Sequence, residues 1–92
     1  YSPFKYDYLH LWSSQIYKGL ILKNLKRYEE AIKEIKFGIE KLEVVGESKT
    51  LAFAYKSLSE IYFETQDFEN AFLTLKKANE IEEISIGKNL YY

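Results

Sequence analysis

Residues 19–38 read GLILKNLKRYEEAIKEIKFG, and residues 59–78 read SEIYFETQDFENAFLTLKKA. The two stretches begin 40 residues apart and agree in size as well as in polarity. The large aromatic Tyr28 falls on Phe68, and the small residue that opens one stretch falls on the small residue that opens the other. Two copies of one packing unit agree in this way because each position fills the same kind of gap. The sequence therefore predicts an internal repeat.

Each copy has the pattern of two helices. Apolar and charged residues interleave at steps of three and four, and no Asn-Gly or Asp-Gly turn separates alternating runs as a β-hairpin would require. The predicted fold class is all-α. Four helices are expected: from Phe4 or Leu9 to Asn24, from Tyr28 to Val44, from Ser48 or Thr50 to about Thr65, and from Phe68 to about Glu83.

Helix-end signals support these boundaries. Pro3 suits the first helical position after an N-cap at Ser2, and Asp67 suits the N-cap of the fourth helix. Gly46 and Gly87 are predicted to end the second and fourth helices. Among the residues predicted to face inward are Leu25, Ile35, Phe72, Leu75 and Ala78.

Composition excludes several classes of function. The chain has 92 residues, no cysteine and a net charge of −1. Zinc fingers, iron–sulfur sites and thiol catalysis need cysteine, and a nucleic-acid module usually carries a basic excess. No apolar run is long enough for a membrane span, and no signal peptide pattern opens the chain, so we expect a cytoplasmic protein. Because it begins at Tyr1 and contains no methionine, we expect a piece of a longer protein.

Candidate catalytic and metal-binding residues are few. The single histidine, His10, lies four residues before Ser14, but no oxyanion donor or orienting carboxylate accompanies them. Glutamates lie three or four residues from lysines, as on solvated helix faces, and one histidine cannot supply a usual metal site. The four glycines stand apart, so no phosphate loop exists. We predict no enzyme, no cofactor and no metal.

A specific spacing recurs in both copies: a small residue, an apolar one three later, an aromatic nine after the first, and an alanine three beyond that. The residues are Gly19, Leu22, Tyr28 and Ala31, then Ser59, Tyr62, Phe68 and Ala71. This spacing resembles the tetratricopeptide repeat, which implies antiparallel helix hairpins stacked as a right-handed α-solenoid.

The chain departs from that family in three ways. The closing proline is absent, the period is 40 residues where the family has about 34, and Gln15 and Lys18 stand where large apolar residues are favoured. The first helix is therefore expected to face a different neighbour. Armadillo and HEAT units, with similar periods, remain the alternative. The predicted organisation is one fragment over 1–92, with repeats at 9–47 and 48–87 and the start of a third at 88–92.

The resemblance implies a noncatalytic module that binds a protein or peptide, with no direct contact to nucleic acid or membrane. By family register the groove also includes Ser13, Ile16, Ser57 and Glu64, although Ile16, Leu20 and Phe53 also suit packing on adjacent repeats or on a capping helix. Glu60 beside Lys56 excludes the clamp that grips C-terminal carboxylates. The predicted groove residues are Tyr17, Leu20, Asn24, Phe53, Lys56, Glu60 and Phe63.

The long repeat and its tyrosine- and lysine-rich helices also resemble the sensor domains of bacterial helix-turn-helix regulators that respond to peptides. A transcriptional regulator of this kind is one expectation. A scaffold repeat that mediates protein association or self-association is a second, and the repeat domain of a larger enzyme is a third.

Overall fold

The computed structural model describes the backbone of residues 3–46 and 48–91 and the side chains of residues 11–44, 46 and 48–84. Within this part, the chain divides into two compact units, residues 1–47 and 48–92. Each unit is a hairpin of two antiparallel helices that pack on each other. The predicted all-α fold of helix hairpins is confirmed. The described residues form four helices and no strand: α1 (Pro3–Asn24), α2 (Tyr28–Val45), α3 (Ser48–Glu64) and α4 (Phe68–Tyr91).

The same turn joins the helices in both units. Lys26 after α1 has φ 65°, and Gln66 after α3 has φ 66°. In the first turn the N–H of Arg27 donates to the carbonyl of Leu22 at 2.9 Å, and the corresponding bond in the second turn is 2.8 Å. This is the Schellman pattern, in which glycine usually occupies the left-handed position. Here a lysine and a glutamine occupy it.

The other predicted caps are largely confirmed. Gly46 has φ 81°, and its N–H donates to the carbonyl of Leu42 at 2.8 Å. The carboxylate of Asp67 accepts from the backbone N–H of Asn70 at 3.4 Å and from its side-chain amide at 2.7 Å. Pro3 is the first residue of α1, whereas the predicted cap Ser2 lies outside the described residues.

The prediction that Gly87 ends the fourth helix is wrong, because α4 continues to Tyr91. A single glycine inside a helix costs only about 1 kcal/mol, and no proline follows that would stop the helix. Residues 88–91 therefore extend α4, and the assignment of 88–92 to a third repeat stays a prediction.

The helices of the first unit cross at two glycines. The side chain of Ile35 fills the space where a Cβ of Gly19 would lie, and the Cδ1 of Ile16 is 2.6 Å from the place of a Gly38 Cβ. Both isoleucines are fully buried. The missing Cβ atoms thus give each isoleucine its room between α1 and α2.

The second unit has Ser59 and Ala78 at the corresponding positions, and both are buried. The hydroxyl of Ser59 donates to the carbonyl of Lys56 at 2.7 Å. Because Cβ atoms now occupy the crossing, Leu75 cannot insert as its counterpart Ile35 does, and it is 44% exposed. The predicted inward placement of Leu75 is wrong on this account, and that of Phe72 is wrong as well, since its side chain is 66% exposed.

Some of the other residues predicted to face inward are buried, and one is exposed. Ile35 and Ala78 are buried as expected. Leu25, by contrast, is exposed, because it lies in the turn after α1 and not on the helix face that meets α2.

The polar residues that depart from the family pattern have a partner inside the first hairpin. The side-chain amide of Gln15 donates to the carboxylate of Glu34 on α2, and the ammonium of Lys18 lies 3.6 Å from the same carboxylate. The second unit has Tyr55, Leu58 and Thr74 at these positions. In the first unit the polar side chains of α1 thus pair with Glu34 on α2, whereas the larger apolar side chains Tyr55 and Leu58 stand in their place on α3.

The left-handed conformation of Lys26 predicts that a glycine at this position stabilises the chain. Replacement of Lys26 by glycine removes the cost of a left-handed backbone on a residue with a Cβ, so Lys26→Gly should raise the free energy of unfolding by about 0.5–1 kcal/mol. Denaturation with urea followed by circular dichroism measures it. Lys33→Gly, inside α2, is the matched control and should lower the same free energy. A loss of stability in Lys26→Gly would contradict the assignment of the turn.

The close crossing at glycine predicts that Gly19→Ala lowers the free energy of unfolding. In Gly19→Ala the new Cβ would lie 3.2 Å from the carbonyl oxygen of Ala31 and closer still to the side chain of Ile35. Overpacking costs about 1–3 kcal/mol and improved helix propensity returns up to about 1, so we expect a net loss of about 1–2 kcal/mol.

Ser59→Ala is the control for that variant, since a Cβ already stands at this position. It should change the free energy of unfolding by less than about 1 kcal/mol, because it removes only the hydrogen bond from the Ser59 hydroxyl to the carbonyl of Lys56. Equal losses in Gly19→Ala and Ser59→Ala would show that the two crossings are alike.

Candidate functional site

An open cleft runs between α3 and α4 in the second unit, with a volume of about 460 Å³. Helix α3 contributes most of its lining, and α4 contributes the remainder from its first turns. We call it the α3–α4 cleft. Its lining residues are Lys56, Ser59, Glu60, Phe63, Glu64, Ala71 and Leu75.

The floor of the cleft is apolar and solvent-accessible. Phe63 is 65% exposed although it is a large hydrophobic residue, and Leu75 and Ala71 lie beside it. The ring of Phe63 meets the ring of Phe68 edge to face, with centroids 5.5 Å apart and an interplanar angle of 69°. This contact favours one position of the Phe63 ring, which reduces the side-chain entropy lost when an incoming side chain packs on it.

The rim of the cleft is acidic. Lys56 forms an ion pair with Glu82 on α4, which offsets its positive charge. Both side chains are more than a third exposed, so the pair adds less than about 1 kcal/mol to stability. Glu60 and Glu64 lie one helical turn apart on α3 and line the same cleft. The net charge around the cleft is therefore negative.

Three of the seven predicted groove residues come together in this cleft, Lys56, Glu60 and Phe63, and Glu64, which the family register also placed in the groove, lines it with them. Phe53 lies on the same helix but not in the lining, and its side chain is partly exposed. The remaining three belong to the first unit, where they share one face of α1. Of these, Tyr17 and Asn24 are exposed and Leu20 is half-buried.

Two residues predicted for the groove by family register face inward. Ile16 packs at the glycine crossing, as described above. Ser57 is buried, and its hydroxyl donates to the carbonyl of Phe53 at 3.0 Å. A serine whose hydroxyl donates to a carbonyl of its own helix can be buried without leaving a polar atom unsatisfied, and Ser57 fills part of the core in this way.

Sequence reasoning missed three lining residues: Ser59, Ala71 and Leu75. All were assigned to packing inside the hairpin. The available signal was the change from Gly19 to Ser59 between the two copies, since that change removes the space for a side chain at Leu75.

The described residues offer little for catalysis. Ser14 is exposed, and the side chain of its predicted neighbour His10 lies outside the described side chains. Among the described residues, no three histidine, cysteine or acidic side chains converge to hold a metal ion. In the same part of the chain, no helix combines the length and apolarity that crossing a membrane requires.

Comparison with protein families gives one match. A family model of the tetratricopeptide repeat matches residues 14–36 and 54–84, which together make up more than half of the chain. The chain belongs to the tetratricopeptide repeat family. The two matched ranges begin 40 residues apart, the spacing of the internal repeat. No curated protein matches the chain, and no solved structure matches it.

Membership of the tetratricopeptide repeat family gives the general function. The repeat is a noncatalytic unit, and the chain is accordingly a module for interaction between proteins. The α3–α4 cleft lies on the tetratricopeptide hairpin whose crossing holds Ser59 and Ala78 in place of glycines.

Proposed function

We propose that the chain binds a peptide segment of a partner protein through the α3–α4 cleft. The observation that carries this proposal is an open cleft whose apolar floor, formed by Phe63 and Leu75, is left exposed within a helix hairpin. Large apolar side chains exposed together mark interaction sites more often than single ones do.

The charge of the cleft selects the kind of peptide. With Lys56 held by Glu82, the acidic side chains Glu60 and Glu64 dominate the rim. A ligand with an apolar side chain for the floor and lysine or arginine beside it meets both features. This is the opposite of a ligand that presents a carboxylate, which the same glutamates would repel.

The shape of the cleft favours a few strong contacts over many weak ones. The edge-to-face contact with Phe68 favours one position of the Phe63 ring, which lowers the side-chain entropy lost on binding there. A ligand side chain between Phe63 and Leu75 becomes the anchor, and the charges of the rim set its orientation. Tyr17, Leu20, Asn24 and Phe53 stay predictions as further contact residues.

The regulatory form of the proposal is that this module is the sensor of a cytoplasmic transcriptional regulator. The 40-residue period supports it, since long repeats are the feature on which the resemblance to such sensors rests. The gene tests it directly. A helix-turn-helix domain encoded with the repeats would support regulation, whereas a catalytic domain would favour the repeat domain of an enzyme.

Peptide binding can be measured with two fluorescein-labelled libraries of short peptides. In one, a central leucine or phenylalanine is flanked by lysine and arginine; in the other, by aspartate and glutamate. Fluorescence anisotropy should show tighter binding of the basic library. Loss of an anchor residue typically costs 1–2 kcal/mol or more, so Phe63→Ala should weaken that binding by about tenfold.

Glu64→Lys tests the contribution of the acidic rim, and it should weaken binding of the basic library and reduce the salt dependence of that binding. Leu73→Ala and Glu40→Lys are matched controls, because both residues are exposed and lie outside the cleft. Equal affinity for the two libraries, or unchanged affinity in both cleft variants, would overturn the proposal.

A further inference from the structure

A second apolar surface follows α4 beyond the cleft. Phe68, Phe72 and Leu75 lie at steps of four and three, on one side of the helix, and are 58%, 66% and 44% exposed. We call these three residues the α4 stripe. The residues of the first unit that correspond to Phe72 and Leu75 are Ile32, half-buried, and Ile35, fully buried. The first copy of the repeat thus buries Ile32 and Ile35 in part or in full, whereas the second copy leaves the corresponding Phe72 and Leu75 exposed.

The charges beside the α4 stripe have opposite signs at its two ends. Residues 67–77 read DFENAFLTLKK, with Phe72 at the centre. Acidic residues precede the centre and lysines follow it. Glu69 and Lys76 are seven residues apart, so they lie on the same side of the helix, two turns from each other. Both side chains are exposed. Rotation of this segment by a half-turn about Phe72 exchanges its acidic and basic ends.

We propose that the α4 stripe docks on the same stripe of a second copy of the chain, with the two α4 helices antiparallel and a twofold axis near Phe72. In this arrangement Glu69 of each copy faces Lys76 of the other, which gives two equivalent charge pairs. A parallel arrangement would place Glu69 against Glu69 and Lys76 against Lys76. Charge complementarity therefore selects the antiparallel dimer, and twofold symmetry is the commonest form of self-association.

The surface of α4 has room for the aromatic ring that this arrangement brings. A cleft of about 460 Å³ is lined by side chains of α4, among them Phe72, Leu75 and Lys76. With Phe72 on the axis, Phe68 of the second copy comes opposite Leu75 and Lys76. Its ring would cover Leu75 and offer its face to the ammonium of Lys76.

The two proposals can be tested separately, although their surfaces share Leu75 and are joined by the ring contact between Phe63 and Phe68. Two helix faces bury less area than a standard protein interface, so we expect a dissociation constant on the order of 10 µM. At low concentration the chain should be a monomer.

Sedimentation equilibrium of the 92-residue chain, from about 1 to about 300 µM, tests the proposal. We expect a monomer–dimer equilibrium that Phe72→Glu shifts at least tenfold toward monomer. Because Phe72 is exposed, circular dichroism should show the helices retained. A chain that stays monomeric over the whole range, or a dimer unaffected by Phe72→Glu, would overturn the proposal.

A charge exchange tests the antiparallel geometry. Glu69→Lys and Lys76→Glu should each weaken the dimer, and the double variant should restore it because opposite charges again face each other. Glu40→Lys is the control for charge alone and should dimerise normally. Failure of the double variant to recover would exclude the antiparallel arrangement, even if a dimer forms.

Titration with the basic peptide library separates the two proposals. Phe72→Glu should bind the peptides with nearly unchanged affinity, since Phe72 does not line the α3–α4 cleft. A loss of peptide binding in this variant, together with loss of the dimer, would show that one surface serves both functions and would contradict their separation.

Discussion

The close crossing of paired helices at small residues is the constraint on which the rest of the structure depends. A hairpin of two helices has few layers in which to bury apolar atoms, so the distance between its helices decides how much it can bury. In the first unit the glycines at 19 and 38 let isoleucines enter the crossing from both helices. In the second, Ser59 and Ala78 fill the same positions with their own atoms, and a leucine stays outside.

The two proposed binding surfaces follow from that difference. Where Leu75 is kept from the crossing, it joins Phe63 in a cleft on one side and Phe72 in a stripe on the other. The charges complete the division: glutamates of α3 border the cleft, while an acid and a lysine two turns apart border the stripe. Both proposed binding surfaces thus lie on the second hairpin, whereas the first hairpin buries the corresponding isoleucine, Ile35.

Much of the fold could be predicted from the sequence, because the spacing from Gly19 to Ala31 and from Ser59 to Ala71 records which residues must be small. Two predicted helix ends are also confirmed, since Gly46 ends α2 and Asp67 caps α4. The exposure of Phe72 could not be predicted, since periodicity identifies the apolar face of a helix but not the space opposite it. For the cleft, Lys56, Glu60 and Phe63 came from the family register, whereas Leu75 required knowledge of how far α4 stands from α3.

The two crossings also differ in the direction in which they can change during evolution. A substitution to glycine at Ser59 or Ala78 meets no steric barrier and costs mainly helix propensity and a small cavity, so glycine can enter the second crossing in single steps. The reverse step is harder, because any side chain at Gly19 meets Ile35 and a carbonyl oxygen unless Ile35 is replaced first. Repeats that begin alike can therefore diverge more readily toward glycine at the crossing than away from it.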